Sequence, residues 1–308
     1  MSRRLHLLAN SKSGNGRGAK LADVVKKVCA EMGATVVVYD IDSPEDLEAR
    51  AREAVAIAKG SPNDVVVAAG GDGTLRSVAE VVRGSGAIFG VIPVGTFNFF
   101  ARTHLVPEDH EEAVRLLING QPRNIRLGEV NGRTFLINAS LGLYAKSIQE
   151  REESTARFGR NRFVAIASTF KTLLGRHRLL HVRLTTDKGE RELKTPMIFI
   201  GNNALQLRNL DMKVADCFIQ HKLAVVLLKP VRGLEMVRVL ARGISKTLEK
   251  EKRILQFCTE KLTIVSKRSH HSVALDGEMF EMKSPFEVSS DHKAVLMIAP
   301  PPVAGEPA

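Results

Sequence analysis

The stretch DVVVAAGGDGTLRSVAEVVRG, residues 64–84, constrains the fold of this chain more than any other. A near-continuous run of Val and Ala runs into a cluster of glycines, and apolar residues then recur at helical spacing. Such a strand has no polar face, so both of its faces must be covered, as in a parallel sheet sandwiched between helices. The same order recurs on either side. RLHLLAN reads as a strand, SKSGNGRG as a glycine loop and AKLADVVKKVCAEMG as a helix stopped by Gly33. TVVVYDI is a second strand, followed by the helix SPEDLEARAREAVAIAKG with Ser43 as N-cap and Pro44 at N1. IFGVIPVG is the fourth strand. The loops at the carboxyl ends of such strands are where ligands bind.

From about residue 124 the texture changes to strands separated by short turns. RNIRLGEVNGRTFLINASLG reads as a hairpin around Asn131-Gly132, and KLAVVLLK, KLTIVSK, SVALDGEMFEM, PFEVSS and AVLMIAP follow as further strands. This pattern predicts an antiparallel β-sandwich. The expected division is a nucleotide-binding α/β domain over 1–123 and a β-rich substrate domain over 124–308, with the extreme C terminus left free to return to the first. A chain of 308 residues, 44% hydrophobic, can bury the cores of two such domains.

Glycine loops after strands cradle phosphate through backbone N–H groups, aided by the partial positive charge of the following helix N-terminus. An acid inside one, Asp72, fits if a cation neutralises it, if it accepts a hydroxyl hydrogen bond, or if it takes a proton from an attacking alcohol. The bland alternative is a turn with an Asp cap. Two more loops stand at equivalent strand ends: Asn10, Ser11, Ser13, Gly14 and Gly16 after the first strand, and Gly95, Thr96 and Asn98 after the fourth. Neither a Walker loop nor the dinucleotide GxGxxG occurs at these turns.

NSKSGNG, GGDGTL and GTFNFFAR resemble the three N-terminal motifs of the diacylglycerol/sphingosine kinase catalytic family, particularly its small soluble bacterial lipid kinases. The similarity continues through VRLTTD, IFIGNN and the late LDGE. It implies a Rossmann-like parallel-sheet domain of the NAD kinase/phosphofructokinase type, followed by the antiparallel sandwich. It also implies phosphoryl transfer from ATP to a primary hydroxyl of a diacylglycerol-, sphingoid- or phosphatidylglycerol-like lipid. ATP phosphates would lie against Asn10, Ser11, Ser13, Gly14, Gly70, Gly71, Asp72, Gly73, Thr74 and Leu75, joined by Thr96 and Asn98. Asp72 would organise the Mg²⁺ carried by ATP, and Asp276 and Glu278 would activate the acceptor hydroxyl, their roles unseparated. Read without the resemblance, Asp276-Gly277 is an ordinary hairpin turn.

The chain departs from that pattern at three places. Ser11 stands where the family has proline, Phe99 stands where it has an acid, and Gln220, His221 and Lys222 replace a segment whose carboxylates bind a structural Mg²⁺. That structural site is expected to be absent, since a hard cation needs oxygen ligands. Two rivals therefore stay open: a degenerate, catalytically weak lipid- or nucleotide-binding protein, and an NAD kinase.

The formal net charge of +11 lies wholly in the second half: residues 1–130 hold 16 Lys+Arg and 16 Asp+Glu, residues 131–308 hold 29 and 18. Residues 156–184 carry seven Lys/Arg and no acid, interleaved with an apolar stripe, and KPVRGLEMVRVLARGISKTLEKEKRI is a second such stretch. Either could lie on an anionic membrane surface or pack into a core. The chain has no Trp, two Tyr and no nucleic-acid-binding motif, so nucleic acid is not the expected partner. Cys29, Cys217 and Cys258 fit neither a disulfide framework nor a zinc site, and no apolar run is long enough to span a bilayer. The expected place is the cytoplasm, peripherally membrane-associated. The oligomeric state is left open, a homodimer included.

Overall fold

The computed structural model describes residues 2–9, 17–143, 145, 179–208, 212–231, 234–245 and 247–301. The chain divides into two compact units, Met1–Leu127 with Asp291–Ala308, and Gly128–Ser290.

In the first unit, β1 (Arg4–Ala9), β2 (Thr35–Asp40), β3 (Asp64–Gly70) and β4 (Ile88–Pro93) form a parallel sheet in the order β2-β1-β3-β4. The last part of β16 (Phe286–Ile298) joins beyond β4, with Leu296 beside Ile88 and Met297 beside Phe89. Alternate strand residues Leu5, Leu7, Val65 and Val67 pack against α1 (Arg17–Glu31) and α5 (His110–Asn119). Their neighbours Leu8, Val66 and Ala68 are also fully buried, on the side met by α2 (Pro44–Ala58) and α3 (Asp72–Val82). Each such Val or Leu contributes about 1.5–3 kcal/mol of burial, which is why these strands are apolar throughout. Ser43 caps α2 as expected, accepting from the Asp46 amide at 3.2 Å with Pro44 in the first turn.

In the second unit, six strands form an antiparallel sheet among the described residues: β7 (Asn138–Gly142), β10 (Met197–Gly201), β11 (Leu223–Leu228), β12 (Ile254–Thr259), β14 (His270–Leu275) and β15 (Glu278–Lys283). A second layer pairs β8 (Leu180–Thr186) with β9 (Gly189–Thr195) and with β13 (Lys261–Ser266), and β13 in turn with the start of β16. One apolar cluster joins the layers, with Leu141, Ile200, Val225 and Leu275 from the first and Val182, Leu184, Ile264 and Phe286 from the second. The fold is thus α/β with a parallel-rich sheet and an antiparallel sandwich. Asn131 (φ 49°) and Gly132 (φ 84°) turn the hairpin between β5 (Pro122–Val130) and β6 (Arg133–Phe135), where both central residues need positive φ.

One reading of the sequence is corrected, and one left open is narrowed. Cys217, in the 3-10 helix Lys213–Gln220, is joined to Cys258 of β12, their Cα atoms 5.4 Å apart across a sequence separation of 41. Spacing along the chain carried no sign of this pair, because β11 and β12 bring them together only when they pair. The expectation that these cysteines fit no disulfide framework is therefore overturned for two of the three. The second basic stretch does not lie on a free surface along its whole length. In its helix Leu234–Ile244, Met236 is buried and Val239 packs beside it against Leu143 and Leu228, while Arg238 and Arg242 hold the buried Glu251 at 3.5 and 3.2 Å. The first basic stretch lies outside the described residues up to position 178. No helix among the described residues is long and apolar enough to cross a membrane.

Candidate functional site

Strand β3 ends at Gly70, Gly71 is the N-cap of α3 with φ −84° and ψ 176°, and Asp72 opens the helix. The Asp72 carboxylate reaches to the turn after β4 and accepts from the Phe99 amide at 3.2 Å and the Phe100 amide at 3.1 Å. These are the first two amides of the short helix α4 (Phe99–Thr103). Its own N-cap residue, Asn98, is left-handed (φ 48°, ψ 40°) and makes no side-chain cap, so Asp72 supplies the acceptors the helix end needs. Burial pushes the Asp72 carboxyl above the ordinary carboxylate value, and the two amides pull against it without cancelling it.

The two glycine loops touch. A Cβ on Gly95 would stand 2.8 Å from the Cα of Gly71 and from Asn98 Oδ1, and one on Gly70 would stand 2.5 Å from the Thr74 side chain. Only glycine permits this approach. Asn98 is 7% exposed and its Oδ1 has no hydrogen-bond partner among the described residues, an orphaned acceptor beside the loops. Backbone amides at a helix N-terminus, a carboxylate and an unsatisfied amide oxygen suit a polyphosphate with its hydrated cation. Among the described residues no three His, Cys, Asp or Glu side chains gather to hold a metal ion.

Of the other residues expected at this site, Gly73 and Thr74 lie in the first turn of α3, and Thr96 is exposed. Leu75 is a correction: its side chain is fully buried and its amide is taken by the Gly71 carbonyl at 3.0 Å, so it belongs to the core. Asn10, Ser11, Ser13 and Gly14 lie outside the described residues. The Phe99 ring stacks on exposed Phe97, centroids 5.6 Å apart and planes within 6°. Phe100 turns inward onto His104, which is buried and held neutral, its pKa pushed down to about 3 by burial and by Arg123 and Arg126.

The second motif lies in the second unit. Asp276 (φ 51°) and Gly277 (φ 96°) form the two-residue turn between β14 and β15, with Leu275 paired to Glu278. The hairpin reading was correct for the backbone. The side chain does more: Asp276 accepts from the amides of Leu136, Ile137 and Asn138 at 2.6, 2.8 and 2.9 Å. It locks this turn to the segment between β6 and β7. Glu278, one residue past the turn, is half-buried at the start of β15. Pairing alone gave no hint of the Asp276 lock, because its partners lie about 140 residues upstream. Gln220 ends the 3-10 helix, His221 is left-handed after it, and Lys222 faces Glu260 at 4.0 Å.

Residues 4–130 match the family of the diacylglycerol kinase catalytic domain. The matched segment takes in β1 to β5 and with them both described glycine loops. Among curated relatives, a protein of Pseudomonas aeruginosa named "Probable lipid kinase YegS-like" is 45% identical over 104 residues, 33% of each chain. A "Diacylglycerol kinase" of Bacillus subtilis is 47% identical over 79 residues, 24% of this chain and 25% of that one. A "Probable lipid kinase YegS-like" protein of Yersinia pestis is 32% identical over 152 residues, 48% of this chain and 49% of that one. The chain thus spans between a quarter and a half of these relatives' length. The crystal structure of a diacylglycerol kinase from Bacillus anthracis Sterne aligns over 97% of this chain and 98% of its own, with TM-score 0.72 and 19% identity. At that identity the likeness is one of fold.

Proposed function

We propose that this protein is an ATP- and Mg²⁺-dependent lipid kinase that phosphorylates a primary hydroxyl of a diacylglycerol-, sphingoid- or phosphatidylglycerol-like lipid. The observation that carries the reading is the Asp72 carboxylate, raised in pKa by burial and set between two glycine loops at a helix N-terminus. The family of residues 4–130 supports it.

In this reading the amides of the Gly70–Thr74 turn and the orphaned Asn98 Oδ1 orient the triphosphate and its hydration shell, with Asn10 to Gly14 as a further phosphate loop. Bound Mg²⁺ would neutralise charge on the transferring phosphoryl group. The lipid hydroxyl oxygen forms a bond to the γ-phosphorus as the bond to the β-γ bridging oxygen breaks, and ADP leaves. The hydroxyl proton goes to a carboxylate. Asp276 spends its oxygens on three backbone amides, which favours Glu278 as the acceptor of that proton and makes Asp276 the residue that positions the turn. The test is transfer of labelled phosphate from ATP to a panel of lipids. Equal incorporation by the parent and by Asp72→Ala overturns the proposal.

One observation favours a second reading. Phe99, where the family has an acid, offers Asp72 its amide and gives its ring to Phe97. A weak or inactive binder of nucleotide would look this way, and thermal stabilisation by nucleotide without any phosphoryl transfer would establish it.

A further inference from the structure

The outward face of β9, β8 and β13 is polarised along the strands. Cross-strand register places Lys194 opposite His181, then Glu192 opposite Arg183, then Glu190 opposite Thr185. On the other side of β8, Val265 stands beside Arg183 and Thr263 beside Thr185, while the Lys267 amide donates to the His181 carbonyl at 3.2 Å. One end of the face is therefore Lys194, His181 and Lys267 side by side. At the other end Glu190 bonds Thr185 and Glu287 bonds Thr263, at 3.2 and 2.8 Å.

The acid across from Arg183 is already committed: Glu192 binds Arg183 through two hydrogen bonds, at 3.0 and 2.8 Å. Lys194, His181 and Lys267 have no ion pair among the described residues. They line a groove of about 450 Å³ with Arg183, its partner Glu192, Ser266 and Val265. Val265 is 42% exposed among these cations. The inward residues of the same strands, Val182, Leu184 and Ile264, are buried, so the alternation of the strands is otherwise regular.

We propose that this groove is where the protein docks on an anionic phospholipid surface, its cations taking the phosphodiester head groups and Val265 the boundary with the acyl region. This deepens the lipid-kinase reading by naming a surface that would bring the enzyme to its substrate. Charge complementarity supports an anionic occupant, and an exposed valine among cations fits a lipid interface better than a small dissolved anion.

The experiment is sedimentation of the full chain with vesicles of phosphatidylcholine, alone and mixed with phosphatidylglycerol. The parent is expected to bind the mixed vesicles and not the neutral ones. The double variant Lys194→Gln, Lys267→Gln is expected to bind them at least tenfold more weakly, at about 1 kcal/mol for each cation at an anionic surface. Both side chains are exposed, and an unchanged melting temperature confirms the fold. Glu190→Gln, at the acidic end, is expected to keep full binding. Equal binding by the double variant overturns the proposal, as does displacement of the parent from vesicles by millimolar inorganic phosphate at constant ionic strength. Asp72→Asn is expected to bind vesicles like the parent while losing turnover, so docking and kinase readings fail separately.

Discussion

Asp276 and Asn138 are tied to each other in both directions. The Asp276 carboxylate accepts from the Asn138 amide at 2.9 Å, and the Asn138 carbonyl accepts from the Asp276 amide at 2.9 Å. With the Leu136 and Ile137 amides, this makes the aspartate of the LDGE motif the clamp that sets the β14–β15 turn on β7. Asp276→Ala strands three amides at once. Leaving a buried donor unsatisfied costs about 1–3 kcal/mol, so a fall in the denaturation midpoint equivalent to at least that amount is expected. Glu278→Gln is expected to leave the midpoint unchanged and lower kcat. If the two variants behave alike, the division of roles is wrong.

Asp72 is expected to cost the protein stability at neutral pH. Its folded-state pKa lies above the ordinary 3.8, so between those values the folded state binds more protons than the unfolded one. Stability from this group is then lost as pH rises through the folded pKa. Asp72→Asn should gain on the parent as pH rises from about 4 to 7 in paired thermal melts, while turnover falls about a thousandfold. A stability difference that is flat with pH would remove the basis for a perturbed carboxylate here.

His104 gives the opposite sign. It is buried and neutral with a folded pKa of about 3, against 6.5 unfolded. The unfolded state therefore binds more protons in that window, and stability is lost as pH falls from 6.5 toward 3. Between pH 6.5 and 5 the loss is about 2 kcal/mol, and His104→Gln should abolish it in urea titrations at the two pH values.

The glycine loops permit a paired test. Gly95→Ala places a methyl 2.8 Å from the Gly71 backbone and is expected to destabilise the protein by about 1–3 kcal/mol. At Gly71 the nearest atom to an added Cβ is 3.6 Å away, ordinary contact. Gly71→Ala is expected to fold normally and to weaken nucleotide binding, read by calorimetric titration with ATP and Mg²⁺.

Phe99→Asp restores a carboxylate next to Asp72 while keeping the backbone amide that Asp72 binds. Turnover with Mg²⁺ is expected to rise about tenfold or more. No rise, with nucleotide still bound, would favour the reading of a binder without catalysis.

The sequence by itself determined the parallel sheet, the Ser43 cap and the Asn131-Gly132 turn, because each depends on residues within a few positions of one another. Apolar runs without a polar face can only be central strands, and adjacent residues with φ of 49° and 84° need Asn-Gly chemistry. It also marked Asp72 as an unusual acid, whereas Asp276 stood out only through the family resemblance. Only the tertiary structure decided what holds them. The acceptor of the Phe99 and Phe100 amides lies 27 and 28 residues away, and the donors to Asp276 lie about 140 away. The Cys217–Cys258 pair and the row of Lys194, His181 and Lys267 were hidden for the same reason. Periodicity reports which face a residue takes, whereas partners across strands are set by register, and register is fixed only when distant segments pair.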